Sequence, residues 1–248
     1  MSIQDKLTTI TENVPKVYEA GIAEGKVQGD VEFWKAFTNN GNRANYSYAF
    51  RYWGWKVANP SVKIKFGASY HTMMSECPNL ETIVPDNFDF SATPDVQAAS
   101  TNAYYHTFSA NPKLKAIPDM NMPPRGMYYT FYNCPLLERI ERVQIREDTE
   151  VQGAFSNLYS LTHIRFDGTI GTSINFRVSR ILDRESIENI IGCLSDNVSG
   201  EVLTLSITAV NTAYADPNSS WGAAGSNSPE WAALVASKPN WTITLDNT

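Results

Sequence analysis

Apolar residues in the middle of the chain recur at relative positions 0, 3, 6 and 9 of a repeated unit. Four units share this pattern and begin at Met74, Phe108, Phe131 and Phe155, with separations of 34, 23 and 24 residues. A period in this range is typical of a solenoid, because one unit cannot bury its apolar face without stacking on a neighbour. The pattern therefore predicts a ladder of stacked rungs, with these four residues, here called the rung heads, inside it.

Each rung is expected to contain one short strand. The spacing of three suits a 3₁₀-like or irregular turn, and the stretch that follows, such as Arg142 to Ile145, alternates as a half-buried strand does. An earlier unit begins at Phe50, but extra residues follow it, which is typical of a terminal repeat that lacks a neighbour on one side. We interpret residues 46–66 as a degenerate first rung.

These units resemble a known repeat family. The unit from Phe131 to Ile140 carries an aromatic residue, then Cys134, Leu and Ile at the positions found in the BspA-type leucine-rich repeat. Asn111 and Leu158 replace the Cys in two of the other units. The resemblance covers roughly residues 66–170 and implies an α/β solenoid with a short BspA-like leucine-rich repeat ladder.

The chain divides into three predicted regions: an N-terminal helical arm at 1–45, the leucine-rich repeat domain at 46–178 and a C-terminal capping region at 179–248. In the last region, Asp183 is expected to cap a helix that ends near Leu194, and Ser228 with Pro229 is expected to start a second helix. Strands are predicted at 202–205 and 241–245, which makes an αβαβ cap.

The N-terminal arm carries a short heptad seam. β-branched residues at its d positions favour three or four strands over a parallel dimer, so a homo-oligomer, preferably a trimer, is one interpretation. Pro15 interrupts the helix, and the alternative is an amphipathic helix packed on its own domain. The seam residues, spaced 4, 3, 4 and 3 apart, are Ile3, Leu7, Ile10, Val14 and Val17.

About the first 55 residues resemble the leader of bacteriophage and prophage proteins that carry these repeats. The similarity lies in the segments 14–21, 33–37 and 40–46. It implies a non-enzymatic virion protein, such as a tail or baseplate appendage or fibre, whose partners are other virion proteins or a host cell surface of protein or glycan. The alternatives are a cell-associated bacterial adhesin or interaction module and, third, a carbohydrate-active enzyme. The N-terminus has no secretion signal pattern, which disfavours the adhesin and fits a virion location.

Composition excludes several functions. The net charge of −6, with no basic run, disfavours nucleic acid, and no segment approaches the length needed for membrane insertion. Cys77 and Cys134 lie two rungs apart, about 10 Å, which is beyond disulfide reach, so both are expected to be reduced core thiols. Cys193 is placed on the apolar side of a helix and interpreted in the same way.

No catalytic motif is found, and neither a cofactor nor a metal site is predicted. His71 and His106 are interpreted as ordinary rim residues. Two features suit recognition: the aromatic population of the repeats, and an insertion within 84–102 that lengthens one interval. Candidate contacts around the insertion, with packing against the first rung as the alternative, are Trp53, Trp55, Phe88 and Phe90.

Overall fold

The computed structural model describes residues 50–54, 56–58, 64–65, 71–90, 103–215 and 225–247. It is a parallel-strand β-solenoid of about five turns with few helices. The strands of the ladder are β1 (Val57–Ala58), β2 (Ile64–Lys65), β3 (Thr82–Ile83), β4 (Phe88–Asp89), β5 (Ala116–Ile117), β6 (Arg139–Ile145) and β7 (His163–Gly168). A 3₁₀ turn at Pro85–Asn87 precedes β4.

Successive rungs pair their strands in parallel. β1 pairs with β3, and β5, β6 and β7 form a three-stranded sheet in that order. The amide of Lys115 donates to the carbonyl of Glu81 at 3.0 Å, which joins β3 to β5. The strand positions predicted after each head are thereby confirmed, and the pairing of Ala58 with Ile83 places a rung before the Met74 unit, as proposed for Phe50.

The rung heads stack inside the ladder as predicted. The rings of Phe108 and Phe131 are stacked with centroids 5.9 Å apart, and those of Phe131 and Phe155 follow at 5.8 Å. Met74 is fully buried in the same core. The sequence did not indicate that Phe176 continues this column, with its ring 5.0 Å from that of Phe155. Burial of these large rings is the main driving force for stacking the rungs.

The third residue after three of the four heads, Cys77, Asn111 and Cys134, donates a hydrogen bond to buried backbone carbonyls, and we call these three residues the polar column. The thiol of Cys77 donates to the Phe50 carbonyl at 3.1 Å, and that of Cys134 donates to the Phe108 carbonyl at 3.1 Å. Burial raises the pKa of both thiols to about 12, so neither is a nucleophile near neutral pH. Both cysteines are free and buried, as expected from their place in the repeat.

On the outer side of each rung, the residues two before and two after the head have positive φ angles, in the left-handed region of backbone conformation. Around Phe131 these are Tyr129 (φ 53°) and Asn133 (φ 58°), and around Phe155 they are Gly153 and Asn157. These left-handed residues turn every second backbone amide towards the next rung along the solenoid axis. Their hydrogen bonds to that rung form a second backbone ladder opposite the strands.

The C-terminal region follows the predicted order with two additions. β8 (Ile174–Phe176), α1 (Arg184–Gly192), β9 (Val202–Ser206), α2 (Ile207–Ala213), α3 (Pro229–Ala236) and β10 (Thr242–Asp246) succeed one another, and the parallel sheet has the order β10-β9-β8. Asp183 and Ser228 cap α1 and α3 through their side chains, as expected. The αβαβ prediction for 179–248 omitted α2, because α2 is rich in β-branched residues, which are weak helix formers. The unpredicted strand β8 lies just before that region, within the predicted repeat domain.

The α1 helix takes the place of the strand that would follow β7. The Ser186 hydroxyl accepts a hydrogen bond from the Ile164 amide at 2.9 Å, and the Asn189 side chain accepts one from the Phe166 amide. Cys193, the residue after α1, is half-buried, and burial raises its pKa. The predicted arm with Ile3, Leu7, Ile10, Val14 and Val17 lies outside the described residues, as do Trp55 and most of the insertion.

Candidate binding face of stacked aromatic residues

Half-buried aromatic side chains form two adjacent columns on the outer side of the ladder. In the first column, the His71 ring lies 5.6 Å from that of Tyr105, which is stacked on Tyr128 at 5.7 Å. In the second, His106 is stacked on Tyr129 at 5.0 Å. Tyr132 packs edge-on against Tyr129 at 5.2 Å. We call these six residues the aromatic face: His71, Tyr105, His106, Tyr128, Tyr129 and Tyr132.

The repeat positions explain why these rings meet. The two columns occupy the third and second residues before each head, so stacking of the rungs stacks the rings. Because Tyr105 and Tyr128 are within 16° of parallel, each covers one face of its neighbour and turns its edge outward. The hydroxyl groups of the four tyrosines have no hydrogen-bond partner among the described residues. The face therefore presents ring edges and hydrated hydroxyl groups to solvent.

Gly153 ends the second column. A Cβ atom there would lie 2.3 Å from Cε1 of Tyr129, so only glycine lets that ring lie over the backbone of the Phe155 rung. The φ angle of Gly153 is also +67°. His106 and Tyr129 occupy the equivalent positions with φ of 53°, a conformation that costs a residue with a Cβ about 1 kcal/mol. The amides of His106 and Tyr129 each donate to a carbonyl of the next rung, at 3.0 Å in both cases, which helps to offset this cost.

The aromatic face is largely uncharged, whereas the strand side of the ladder carries paired charges. Arg142 bridges Asp119 at 3.0 Å and Asp167 at 3.5 Å, and Lys56 lies 3.6 Å from Glu81. On the aromatic face, burial lowers the pKa of His106, an effect that the charge of Glu76 partly opposes and that of Arg51 reinforces. Neutral His106 makes a 2.9 Å hydrogen bond with Ser109 through Nδ1. The Arg51 and Glu76 ion pair lies at the edge of the aromatic face.

The residues predicted to contact a partner lie elsewhere. Phe88 and Phe90 are buried in the core, and the Phe90 ring packs edge-on against Tyr104 at 6.4 Å. Trp53 is also buried and packs against Phe50 at 5.1 Å. The alternative considered was packing against the first rung. It holds for Trp53, and the Phe88 strand pairs with residue Ile64 of that rung, whereas Phe90 packs against the Phe108 rung. Of the four candidate contacts, Trp55 alone lies outside the described residues.

The sequence did mark the aromatic population of the repeats, but not which rings face outward. His71 and His106 are in different columns, with the Tyr105 ring between them at 5.6 and 4.5 Å. Within the described ranges no group of His, Cys, Asp or Glu side chains is arranged to hold a metal ion. None of the helices described is long and apolar enough to cross a bilayer.

Comparison with known proteins gives no match to a family model, to a curated protein or to a solved structure. The geometry of the chain itself is therefore the basis for assigning a function.

Proposed function

We propose that this protein is a non-enzymatic recognition module that binds a protein surface through its aromatic face. The observation that carries the proposal is the pair of stacked, half-buried ring columns, with four tyrosine hydroxyl groups that make no bond within the described part of the protein. Tyrosine side chains supply large contact areas at a low cost in conformational entropy, and their hydroxyl groups adapt to polar partners.

The direction of the rings favours a protein partner over a sugar. A sugar binds an aromatic platform through the open face of a ring, but here the faces of Tyr105 and Tyr128 cover one another. Ring edges and hydroxyl groups suit the mixed polar and apolar surface of a protein. The stacking also fixes the rings before binding, so less entropy is lost when a partner docks.

The setting in which this module works is proposed from the sequence resemblance. A BspA-type leucine-rich repeat ladder behind a phage-like leader implies a virion protein, for which the partner is either another tail component or the host cell surface. The arm with the heptad seam then serves for docking or for trimer formation. A cell-associated adhesin or interaction module would use the same face.

The test is attachment of the triple variant Tyr105→Ala, Tyr128→Ala and Tyr132→Ala to host cells and to purified tail components. We expect attachment to one of these two surfaces to weaken at least tenfold, or about 1.4 kcal/mol, as for the loss of central interface tyrosines. The matched control is Tyr159→Ala, because Tyr159 is exposed but lies outside the aromatic face. Unchanged attachment by a folded triple variant would rule out this face as the binding site.

A further inference from the structure

The outer backbone ladder stops at the Phe155 rung. In the preceding rung, the amides of Met127, Tyr129, Phe131 and Asn133 donate to carbonyls of the next rung at distances of 2.7 to 3.1 Å. The amides at the four equivalent positions of the Phe155 rung have no acceptor among the residues that the structure describes. These amides belong to Val151, Gly153, Phe155 and Asn157.

An open groove of about 490 Å³ lies where the next outer rung would be expected. Its floor includes Val151, Gly153 and Phe155, and its back wall is formed by Asn175 of β8 and Thr204 of β9. On the core side the ladder is closed, because the rings of Phe155 and Phe176 are 5.0 Å apart. The groove is therefore a ledge on the outer surface rather than a break through the solenoid.

Two hydrogen bonds attach the segment after Thr172 to the Phe155 rung, one at each end of this ledge. The Thr172 hydroxyl donates to the carbonyl of Thr149 at 3.1 Å, and the Ser179 hydroxyl donates to that of Leu158 at 3.1 Å. The segment after Thr172 is thus attached to the Phe155 rung on either side of the four free amides. These contacts fix the segment after Thr172 at both ends of the groove, and Val151, Gly153 and Phe155 line the groove between them.

The arrangement of the donors defines the ligand. Four amides at alternate residues match four carbonyls at alternate residues of another chain, which is how the Phe131 rung is paired within this protein. Among the residues lining the groove, Glu150 is the only charged one, so an acidic ligand is disfavoured. The rings of Phe155 and Phe176 fill the core side, which leaves room only for small side chains pointing inward.

We propose that this ledge binds a non-acidic polypeptide segment of a partner that adopts the turn conformation of the outer rungs, so that its alternate carbonyls accept hydrogen bonds from the amides of the Phe155 rung. The segment supplies the missing outer rung. Main-chain hydrogen bonds provide the binding energy, and the requirement for small inward side chains provides selectivity. The site is separate from the aromatic face and does not depend on the function proposed for it.

The experiment is a titration of the isotopically labelled full chain with a capped hexapeptide of alternating Ala and Thr that ends in Lys. Amide exchange and chemical shifts are followed by NMR, with millimolar peptide in one arm and maltotriose in the other. We expect the peptide alone to slow exchange of the four amides about tenfold. Thr204→Trp, which fills the groove, should abolish this protection, whereas the matched control Thr212→Trp on the exposed side of α2, away from the groove, should not.

Three results would overturn the proposal. One is that none of the four amides responds to the peptide. Another is that maltotriose protects the amides and the peptide does not, which would make the groove a carbohydrate site. The third is that Thr204→Trp protein binds the peptide as well as the control does. Loss of the aromatic face in the triple tyrosine variant should leave peptide binding unchanged, so the two proposals are tested independently.

Discussion

The solenoid stacks aromatic rings on two sides, and the two stacks have similar geometry but differ in burial and in residue type. Inside, Phe108, Phe131 and Phe155 follow one another at 5.9 and 5.8 Å. Outside, Tyr105 and Tyr128 lie at 5.7 Å in nearly the same orientation. The inner rings are at most 2% exposed, whereas the outer ones are half-buried. The spacing of the rungs thus brings rings at equivalent positions into contact, and burial decides whether such a column stabilises the fold or presents a surface.

The largest expected effect is on the inner stack. Phe131→Ala removes a buried ring between two stacked neighbours and leaves a cavity, so we expect it to lower the free energy of unfolding by about 3 to 5 kcal/mol. Urea denaturation monitored by circular dichroism measures this loss. A shift close to zero would mean that the rung heads do not form the core.

Asn111→Leu tests the polar column beside the inner rings. The Asn111 amide group donates to the carbonyls of Met74 and Phe108, both at 2.8 Å, and accepts from the amide of Cys77 at 2.8 Å. Leu fits in the equivalent position of another rung but leaves these buried groups unpaired, so we expect a loss of about 1 to 3 kcal/mol.

The control for this variant is Asn111→Cys, measured in the same denaturation experiment. A thiol at the equivalent Cys134 donates to the carbonyl of the preceding head, so Cys should restore part of the lost stability. If the Leu and Cys variants have the same free energy of unfolding, hydrogen bonding does not explain why polar residues occupy this column.

Tyr128→Ala probes the outer stack. It removes the contacts with Tyr105 at 5.7 Å and with Tyr129 at 4.8 Å, and such pairs contribute about 0.5 to 1.5 kcal/mol. Thermal unfolding should therefore show a loss well below that for Phe131→Ala. A loss as large as that of the inner ring would mean that the outer stack is structural. Tyr159→Ala serves as the exposed reference, with an expected change within about 0.5 kcal/mol.

The smallest effect is the response of the aromatic face to acid. The pKa of folded His106 is lowered from 6.5, mainly by burial, so the unfolded chain binds more protons once the pH falls below that value. Stability is then complete above pH 6.5 and declines as the pH drops towards the folded pKa.

We expect His106→Gln to remove this part of the pH dependence, measured as the change in unfolding midpoint between pH 7 and pH 5. The pKa of Asp183 is also lowered, because hydrogen bonds from Ser186 and His163 outweigh the opposing effect of burial. The stability that Asp183 contributes is complete above pH 3.8 and is lost as the pH falls from there through the folded pKa. This window lies below pH 5, so it does not obscure the effect of His106. An unchanged slope in the variant would contradict the assignment.

The predictable part of the fold follows from spacing along the chain. Heads, strands and the caps of α1 and α3 were located because apolar periodicity, Asp183 and Ser228 are local signals. Phe88 and Phe90 were misplaced as surface contacts, because an insertion in a repeat array often lies on the binding face. Here their segment instead continues the parallel pairing, with Phe88 in register with Ile64.

The aromatic face was only partly predictable. The sequence shows that Tyr105, Tyr128 and Tyr129 precede the heads, but their direction depends on left-handed residues at positions that carry no glycine signal in most rungs. His106 and Tyr129 adopt φ of 53° themselves. Thr72, which has no ring, has φ of 55° at the equivalent position, so the conformation belongs to the rung and not to the aromatic residue. The backbone hydrogen bonds to the next rung accompany it in all three cases.

The amino-acid sequence by itself determined the repeat and the stacking of Phe108, Phe131 and Phe155, because both depend on residues at a regular spacing. Tertiary structure alone decided which aromatic rings meet solvent and where the outer backbone ladder ends. The four free amides of the Phe155 rung carry no side-chain signal, since a main-chain donor is the same in every residue except proline. Whether such a donor is paired depends on how closely the next segment approaches, and here that segment leaves a groove open above the donors.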